Sequence, residues 1–288
     1  MKEDDTYVAG CNGSCREEED DGPKTMQEEM NDILEAFYSE VGEQEMYEFQ
    51  QFMESATKQS IAEGALDCPD ECPSFELEDQ DGDKVTLGDV LKKGPLVLQF
   101  YRGKWCPLCN AQLQRLQRAG LPLFNEKGAT LVAVSPMLPD GTQYLSTKRD
   151  LQFSVCSDVG NTLAKKFNIT MEVTPEFREM HLRQGKNLPE ENGDETWEIP
   201  LPATYVIDQN GIIVFSFIDN DPHIRCDIDE IAAAIPSDKK ENDVCIFPRI
   251  RTVNRKDISS TFKRSSDIKH LFGKRKLPGD QLLKKYCL

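Results

Sequence analysis

The stretch Phe100-Tyr-Arg-Gly-Lys-Trp-Cys-Pro-Leu-Cys-Asn110 places two thiols, Cys106 and Cys109, on either side of a Pro-Leu dipeptide. On a helix, residues three apart share one face, so the two sulfurs can close to a disulfide and reopen by thiol exchange. At a helix start the unpaired amide N–H groups and the helix dipole favour an anion. Cysteines of such motifs have pKa values of about 7 or lower, against about 8.5 for a free thiol, so an attacking thiolate exists near neutral pH. Two other uses fit the same pair. It can be half of a zinc site completed by Cys68 and Cys72 or by Cys11 and Cys15, although both of those pairs have three intervening residues. It can also be two buried thiols with no chemistry.

Redox use requires that the pair sit where a strand meets a helix, and the flanking sequence predicts this. Leu96 to Tyr101 is an apolar run bounded by turn residues, and Asn110 to Ala119 has helical composition up to Gly120. Upstream, Phe75-Glu-Leu-Glu78 alternates, and Asp81-Gly82 is a hairpin signal. Downstream, Thr130 to Val134 predicts a strand and Asn161 to Phe167 a helix. Thr204 to Asp208 and Ile212 to Phe217 flank the turn Gln209-Asn-Gly211 as an antiparallel pair, and Ile228 to Ile235 predicts a last helix. This order predicts an α/β layer structure with a mixed central sheet.

At 288 residues and 38% hydrophobic, the chain can build a substantial core. Its formal net charge of −17 is unevenly spread: residues 1–80 carry 24 acidic and 4 basic side chains, and residues 239–288 carry 14 basic and 5 acidic. The division predicted is an acidic disordered head at 1–24, an amphipathic helical extension at 25–64, the α/β domain at 65–238, and a basic, partly disordered tail at 239–288. Within the extension, Thr25 and Glu28 form a candidate capping box, and Gly42 is a candidate break. The start lacks a secretory pattern and no apolar run reaches the roughly 18 residues of a membrane span, so the expected address is cytoplasmic. There the ten cysteines are expected to be free, catalytic or metal-bound rather than a disulfide lattice, and the Asn168-Ile-Thr170 acceptor pattern is expected to stay unglycosylated. The basic tail suits an acidic partner, nucleic acid or the chain's own acidic head. Self-neutralisation needs the fewest assumptions, and no nucleic-acid fold signature accompanies the tail.

From about Cys72 to Ile235 the chain resembles the thioredoxin-fold superfamily, most closely peroxiredoxin-like proteins of the alkyl hydroperoxide reductase C and thiol-specific antioxidant family. The blocks that carry the resemblance are Pro73-Ser-Phe75, Leu96 to Tyr101, Arg102 to Asn110 with its WCPxC motif, Ala133-Val-Ser-Pro136, Ser157-Asp-Val-Gly160 and Leu201-Pro-Ala-Thr-Tyr-Val-Ile-Asp208. The resemblance implies a thioredoxin-like fold and a thiol-dependent peroxidase that uses no cofactor or metal. Cys106 and Cys109 would be its catalytic pair, a hydroperoxide its substrate and a thioredoxin-type protein its reductant. The sequence leaves open whether the chain forms a homo-oligomer.

Departures from the family pattern are as informative. Its Pro-x-x-x-Thr-x-x-Cys pocket, laid after Tyr101, puts Arg102 at the proline, Cys106 at the threonine and Cys109 at the peroxidatic cysteine. Its activating arginine falls on Pro202, where thioredoxins resemble this chain in having a cis-proline packed against the CxxC. Arg102 and Arg225 are candidates to restore the lost cation, weighed against being solvated surface residues. The order of attack stays open, since the alignment favours Cys109 and exposure at the helix start favours Cys106. A protein disulfide reductase is the alternative activity, and a redox-fold binding module is a further one. Trp105 is expected to shield the sulfur, and Glu191 to Trp197 to form a surface loop. His181 and His223 are expected to be structural, and Cys156, Cys226 and Cys245 bystanders.

Overall fold

Leu96–Phe100 form β3, every side chain of it buried, at the centre of a sheet that a computed structural model of the chain describes within residues 24–236. A strand buried on both faces is largely apolar, which is why this run shows no alternation and its one polar residue, Gln99, is hydrogen-bonded.

In chain order the elements begin with helices α1 (Met26–Glu40) and α2 (Glu43–Gln59), hairpin strands β1 (Glu76–Glu78) and β2 (Lys84–Thr86), α3 (Leu87–Leu91) and β3. There follow α4 (Pro107–Arg115), α5 (Leu121–Glu126), β4 (Thr130–Ser135), α6 (Pro139–Arg149), β5 (Ser154–Ser157) and α7 (Thr162–Lys166). The last are β6 (Thr170–Glu172), α8 (Pro175–Arg183), α9 (Leu188–Asn192), β7 (Glu198–Pro200), β8 (Ala203–Ile207), β9 (Ile213–Ile218) and α10 (Ile228–Ala234).

Seven strands make one mixed sheet in the order β2-β1-β5-β4-β3-β8-β9, and β6 and β7 pair separately. β3, β4 and β5 run parallel, whereas β8 runs antiparallel to β3, and β9 antiparallel to β8. The predicted mixed α/β sheet flanked by helices is therefore present, with a thioredoxin-like arrangement. The β1–β2 and β8–β9 hairpins form around the turns expected of them.

One expected boundary is wrong. Gly120 does not stop the helix that starts at Pro107, because α4 passes through a π-helical turn, Leu116–Gly120, into α5. The backbone at Gly120 is helical (φ −75°). Its missing side chain instead admits close neighbours, since a Cβ there would lie 3.0 Å from Phe124 and 3.3 Å from Ile228. The wide turn also precedes Pro122, whose ring lacks the N–H that an unbroken α-helix would use.

Thr25 and Glu28 cap α1 reciprocally, at 3.2 Å from the Glu28 N–H to Thr25 Oγ1 and 2.7 Å from the Thr25 N–H to Glu28 Oε2. Gly42 separates α1 from α2 as its N-cap. These helices lie against the sheet domain, α1 on α4 and α2 on α8. The α1 N-terminus is tied down where the Met26 N–H donates to Asp227 at 2.6 Å. The expectations placed on the acidic head, the basic tail, Cys11, Cys15 and Cys245 fall outside the described residues. No helix among the described residues is long and apolar enough to cross a membrane.

Candidate active site

Strand β3 delivers the chain to the site, and a tight turn arms it. Gly103 adopts φ +142°, a conformation that side chains disfavour, and a Cβ there would lie 2.7 Å from Trp105 Nε1. The turn thus folds Trp105 back over its own backbone and leaves Cys106 as the N-cap of α4, with Pro107 in the first helical position where its missing N–H costs nothing. Cys106 Sγ accepts the Cys109 N–H at 3.3 Å, one of the orphan donors of the first turn.

Arg102 Nη2 donates to the same sulfur at 3.2 Å. The guanidinium lies between the rings of Trp105 and Phe52, 5.5 and 5.9 Å from their centroids. It is only 3% exposed, and Arg225 5%. This corrects the surface reading of both arginines: each is buried, and each acts electrostatically on the thiols.

The two sulfurs respond to their surroundings in opposite senses. Burial pushes Cys106 up, and so does its hydrogen bond to Cys109. Burial also opposes ionisation of Cys109, but there the hydrogen bond from Cys106 and the charges of Arg102 and Arg225 outweigh it and hold Cys109 well below the ordinary thiol range. These surroundings favour the proton on Cys106 over Cys109.

Arg225 is positioned by a buried polar chain absent from the sequence-based expectations. Its Nε donates to Gln112 Oε1 at 3.0 Å, and Gln112 Nε2 donates to Gln99 Oε1 at 3.0 Å. That oxygen also accepts from Thr204 Oγ1 at 2.7 Å, and Gln99 Nε2 satisfies the carbonyls of Phe100 and Ala203 at 2.8 and 3.0 Å. The available signal was Gln99 itself, a lone amide within an apolar run.

Pro202 requires another correction. The Leu201–Pro202 bond is trans, and the one cis bond among the described residues precedes Pro69. Pro202 is buried one residue before Ala203, which pairs with Phe100. It does not line the slot that reaches the thiols. The Leu201 N–H bonds across to Ile169, a neighbouring loop that sequence alone did not suggest.

That slot, about 60 Å³, runs between α1–α2 and α8 down to Cys106; Cys109 does not line it. Its walls include Ile33, Phe37, Phe49 and Phe177. His181 joins them from α8, with its ring edge-on to Trp105 at 4.8 Å and 88°. The other lone histidine, His223, stacks on Phe49 at 5.3 Å and lies 3.3 Å from Asp221. A larger groove of about 990 Å³ at the other end of β3 and β8 contains Cys72. Burial pushes that thiol to about 12, as it does Cys156 in β5, so neither offers a thiolate. Cys226 is buried too. Among the described residues no three His, Cys, Asp or Glu side chains assemble as metal ligands. The segment read as a surface loop is partly anchored: Glu191 lies in the last turn of α9, its carbonyl accepts the Leu138 N–H at 3.1 Å, and its carboxylate lies 3.7 Å from Lys104.

Comparison with known proteins matches residues 69–216, slightly more than half of the chain, to the AhpC/TSA family. "Peroxiredoxin Q, chloroplastic" of Populus jackii is 28% identical over 141 residues, 49% of this chain and 55% of that protein. "Thiol-disulfide oxidoreductase ResA" of Bacillus cereus (strain ATCC 10987 / NRS 248) is 25% identical over 145 residues, 50% of this chain and 65% of that protein. The chain thus spans less than two thirds of the length of these relatives. Among solved structures, Peroxidoxin BcpB from Mycobacterium tuberculosis superposes with a TM-score of 0.46 at 21% identity, covering 59% of this chain and 96% of that one.

Proposed function

The chain is a member of the AhpC/TSA family, and from that premise and the geometry of its thiol pair we propose that it is a thiol peroxidase acting through Cys106 and Cys109. The observation that carries the reading is the geometry of the pair: two sulfurs, 1% and 0% exposed, with the Arg102 guanidinium bonded to the one that meets the slot.

In the proposed cycle a hydroperoxide reaches Cys106, and the Cys109 thiolate takes the Cys106 proton. The new Cys106 thiolate, favoured by Arg102 and by the Cys109 N–H at the helix start, attacks the terminal peroxide oxygen. An S–O bond forms, the O–O bond breaks and an alkoxide or hydroxide departs, to be protonated by water. Cys106 is now a sulfenic acid, and the Cys109 thiol displaces water from it to give the disulfide. Two electrons have passed from sulfur to oxygen. A thioredoxin-type dithiol, in a cytoplasmic setting, returns them. Residues 65–238 carry the chemistry in this reading, and the helices within 25–64 complete the wall of the slot.

Similarity to a thiol-disulfide oxidoreductase keeps disulfide reduction as the second reading. Peroxide ranks first because a small molecule fits a slot of about 60 Å³ and a protein disulfide does not.

Intact-mass analysis after one equivalent of hydroperoxide tests the assignment. Wild type is expected to lose two hydrogens, Cys109→Ser to gain one oxygen at Cys106, and Cys106→Ser to stay unmodified. An unmodified wild type overturns the peroxidase reading, and oxygen on Cys109 in the Cys106→Ser variant reverses the order of attack.

A further inference from the structure

The side chains that line the slot above Cys106 include unpaired polar atoms of both kinds. Arg102 Nε and Nη1 and Trp105 Nε1 are buried donors with no partner, and all belong to side chains that line the slot. The matching acceptor is His181. This residue is 2% exposed, and its Nδ1 lies 3.1 Å from the Phe177 carbonyl one turn earlier on α8. A carbonyl can only accept, so Nδ1 carries the ring proton, and Nε2, which has no partner, presents a lone pair. Burial, the larger cause, and the nearby Lys186 hold the imidazole at a pKa of about 3, so it stays neutral near pH 7.

We propose that His181 contacts the substrate, its Nε2 accepting the hydrogen bond of a hydroperoxide O–H while Arg102 and Trp105 donate to the peroxide oxygens. The inference rests on the peroxidase reading and extends it to a residue on a different element from the thiols. A hydroperoxide R–O–O–H has one donor and two acceptor oxygens, the complement of the groups left open. The apolar walls, with Ile33, Phe37 and Met180 among them, suit a small apolar R group. A water needs about 10–15 Å³ of such space, so the slot holds a molecule of only a few heavy atoms.

His181 takes no proton in this arrangement. When Cys106 attacks, the hydrogen stays on the oxygen that is transferred and becomes the sulfenic O–H, while RO⁻ leaves towards the Arg102 and Trp105 donors. The imidazole therefore fixes which oxygen faces the sulfur and leaves the acidity of the thiols alone. A neutral hydrogen bond of about 1–1.5 kcal/mol corresponds to a five- to tenfold change in rate.

The test uses the full chain with tert-butyl hydroperoxide and, separately, iodoacetamide. In His181→Phe the second-order rate with the peroxide is expected to fall five- to tenfold or more, and by several-fold more than alkylation at pH 7 changes. His181→Gln, whose amide oxygen can accept, is expected to recover much of the loss. Equal peroxide rates in wild type and His181→Phe overturn the role of His181. A wild type that alkylates but ignores peroxide instead overturns the peroxidase reading beneath it. Should His181→Phe not fold, the folded Cys106→Ser/Cys109→Ser protein labelled with ¹⁵N-histidine is titrated with the same peroxide. A saturable shift of the His181 Nε2 resonance is expected, and its absence overturns the proposal.

Discussion

Glu29 on α1 receives Arg118 Nη2 through both carboxylate oxygens, at 2.8 and 2.6 Å. Arg115, in the last turn of the helix that Cys106 caps, lies 3.5 Å from the same carboxylate. The first helix of the described chain is thus bonded to the helix that carries the Cys106 and Cys109 thiols.

Removing that link should loosen one wall of the slot. Glu29→Ala leaves two arginines without their carboxylate and is expected to cost about 1–3 kcal/mol of stability. Alkylation by N-ethylmaleimide, bulkier than iodoacetamide, should accelerate more than alkylation by iodoacetamide. Equal acceleration of both reagents would mean that α1 does not control access.

Arg102 is the nearest cation to the pair, and its loss should be felt as acidity. A nearby opposite charge is worth about 1–3 pKa units. Arg102→Met is therefore expected to slow iodoacetamide alkylation at pH 6.5 by about 10- to 100-fold, with recovery as pH is raised. A pH profile superimposable on wild type would remove Arg102 from the activation of the thiols.

Gln112 holds Arg225 to Gln99. Gln112→Leu leaves the Arg225 Nε without its acceptor in a buried setting, at a cost of about 1–3 kcal/mol. Urea unfolding checks this, and a change below a few tenths of a kcal/mol would mean that a water replaces the amide.

Asp219 gives a prediction about pH. Burial pushes its carboxyl up to about 6, although the Asp221 N–H bond works against this. In the unfolded chain the group titrates near 3.9. The folded state therefore holds the proton more tightly, and stability is lost as pH rises from about 4 to about 6. Asp219→Asn is expected to be more stable than wild type by about 1–2 kcal/mol at pH 7.5, a figure reduced for partial solvent exposure, and equal to it near pH 4. Thermal unfolding at the two pH values decides it.

The elements legible in the sequence were those whose pattern is local. β3 is apolar but for Gln99, Thr25 and Glu28 cap each other within one turn, and Gln209-Asn-Gly211 closes a hairpin. By contrast, α6 buries Gly141, Thr142, Leu145 and Ser146, small or polar residues that leave no apolar stripe to read. β6 and β7 are three residues each, too short for alternation to register. Within the site, both thiols and Arg102 were legible because they are neighbours along the chain. The environment of Arg225, the slot-facing position of His181 and the wall made by α1 depend on contacts between residues tens to hundreds of positions apart, which no local pattern encodes.

The burial of both sulfurs makes the two halves of the proposed cycle unlike each other. A peroxide can oxidise the molecule while it is closed, whereas a folded dithiol protein must reach a disulfide lying beneath α1 and α2. Reduction therefore requires those helices to part, and oxidation does not. In that cycle the disulfide would be, between the two events, a stored oxidising equivalent screened from bulk reductants such as glutathione. Its lifetime would be set by how often two helices separate, so recycling should depend steeply on temperature and on the bonds that tether α1, while the peroxide step depends on neither to the same degree.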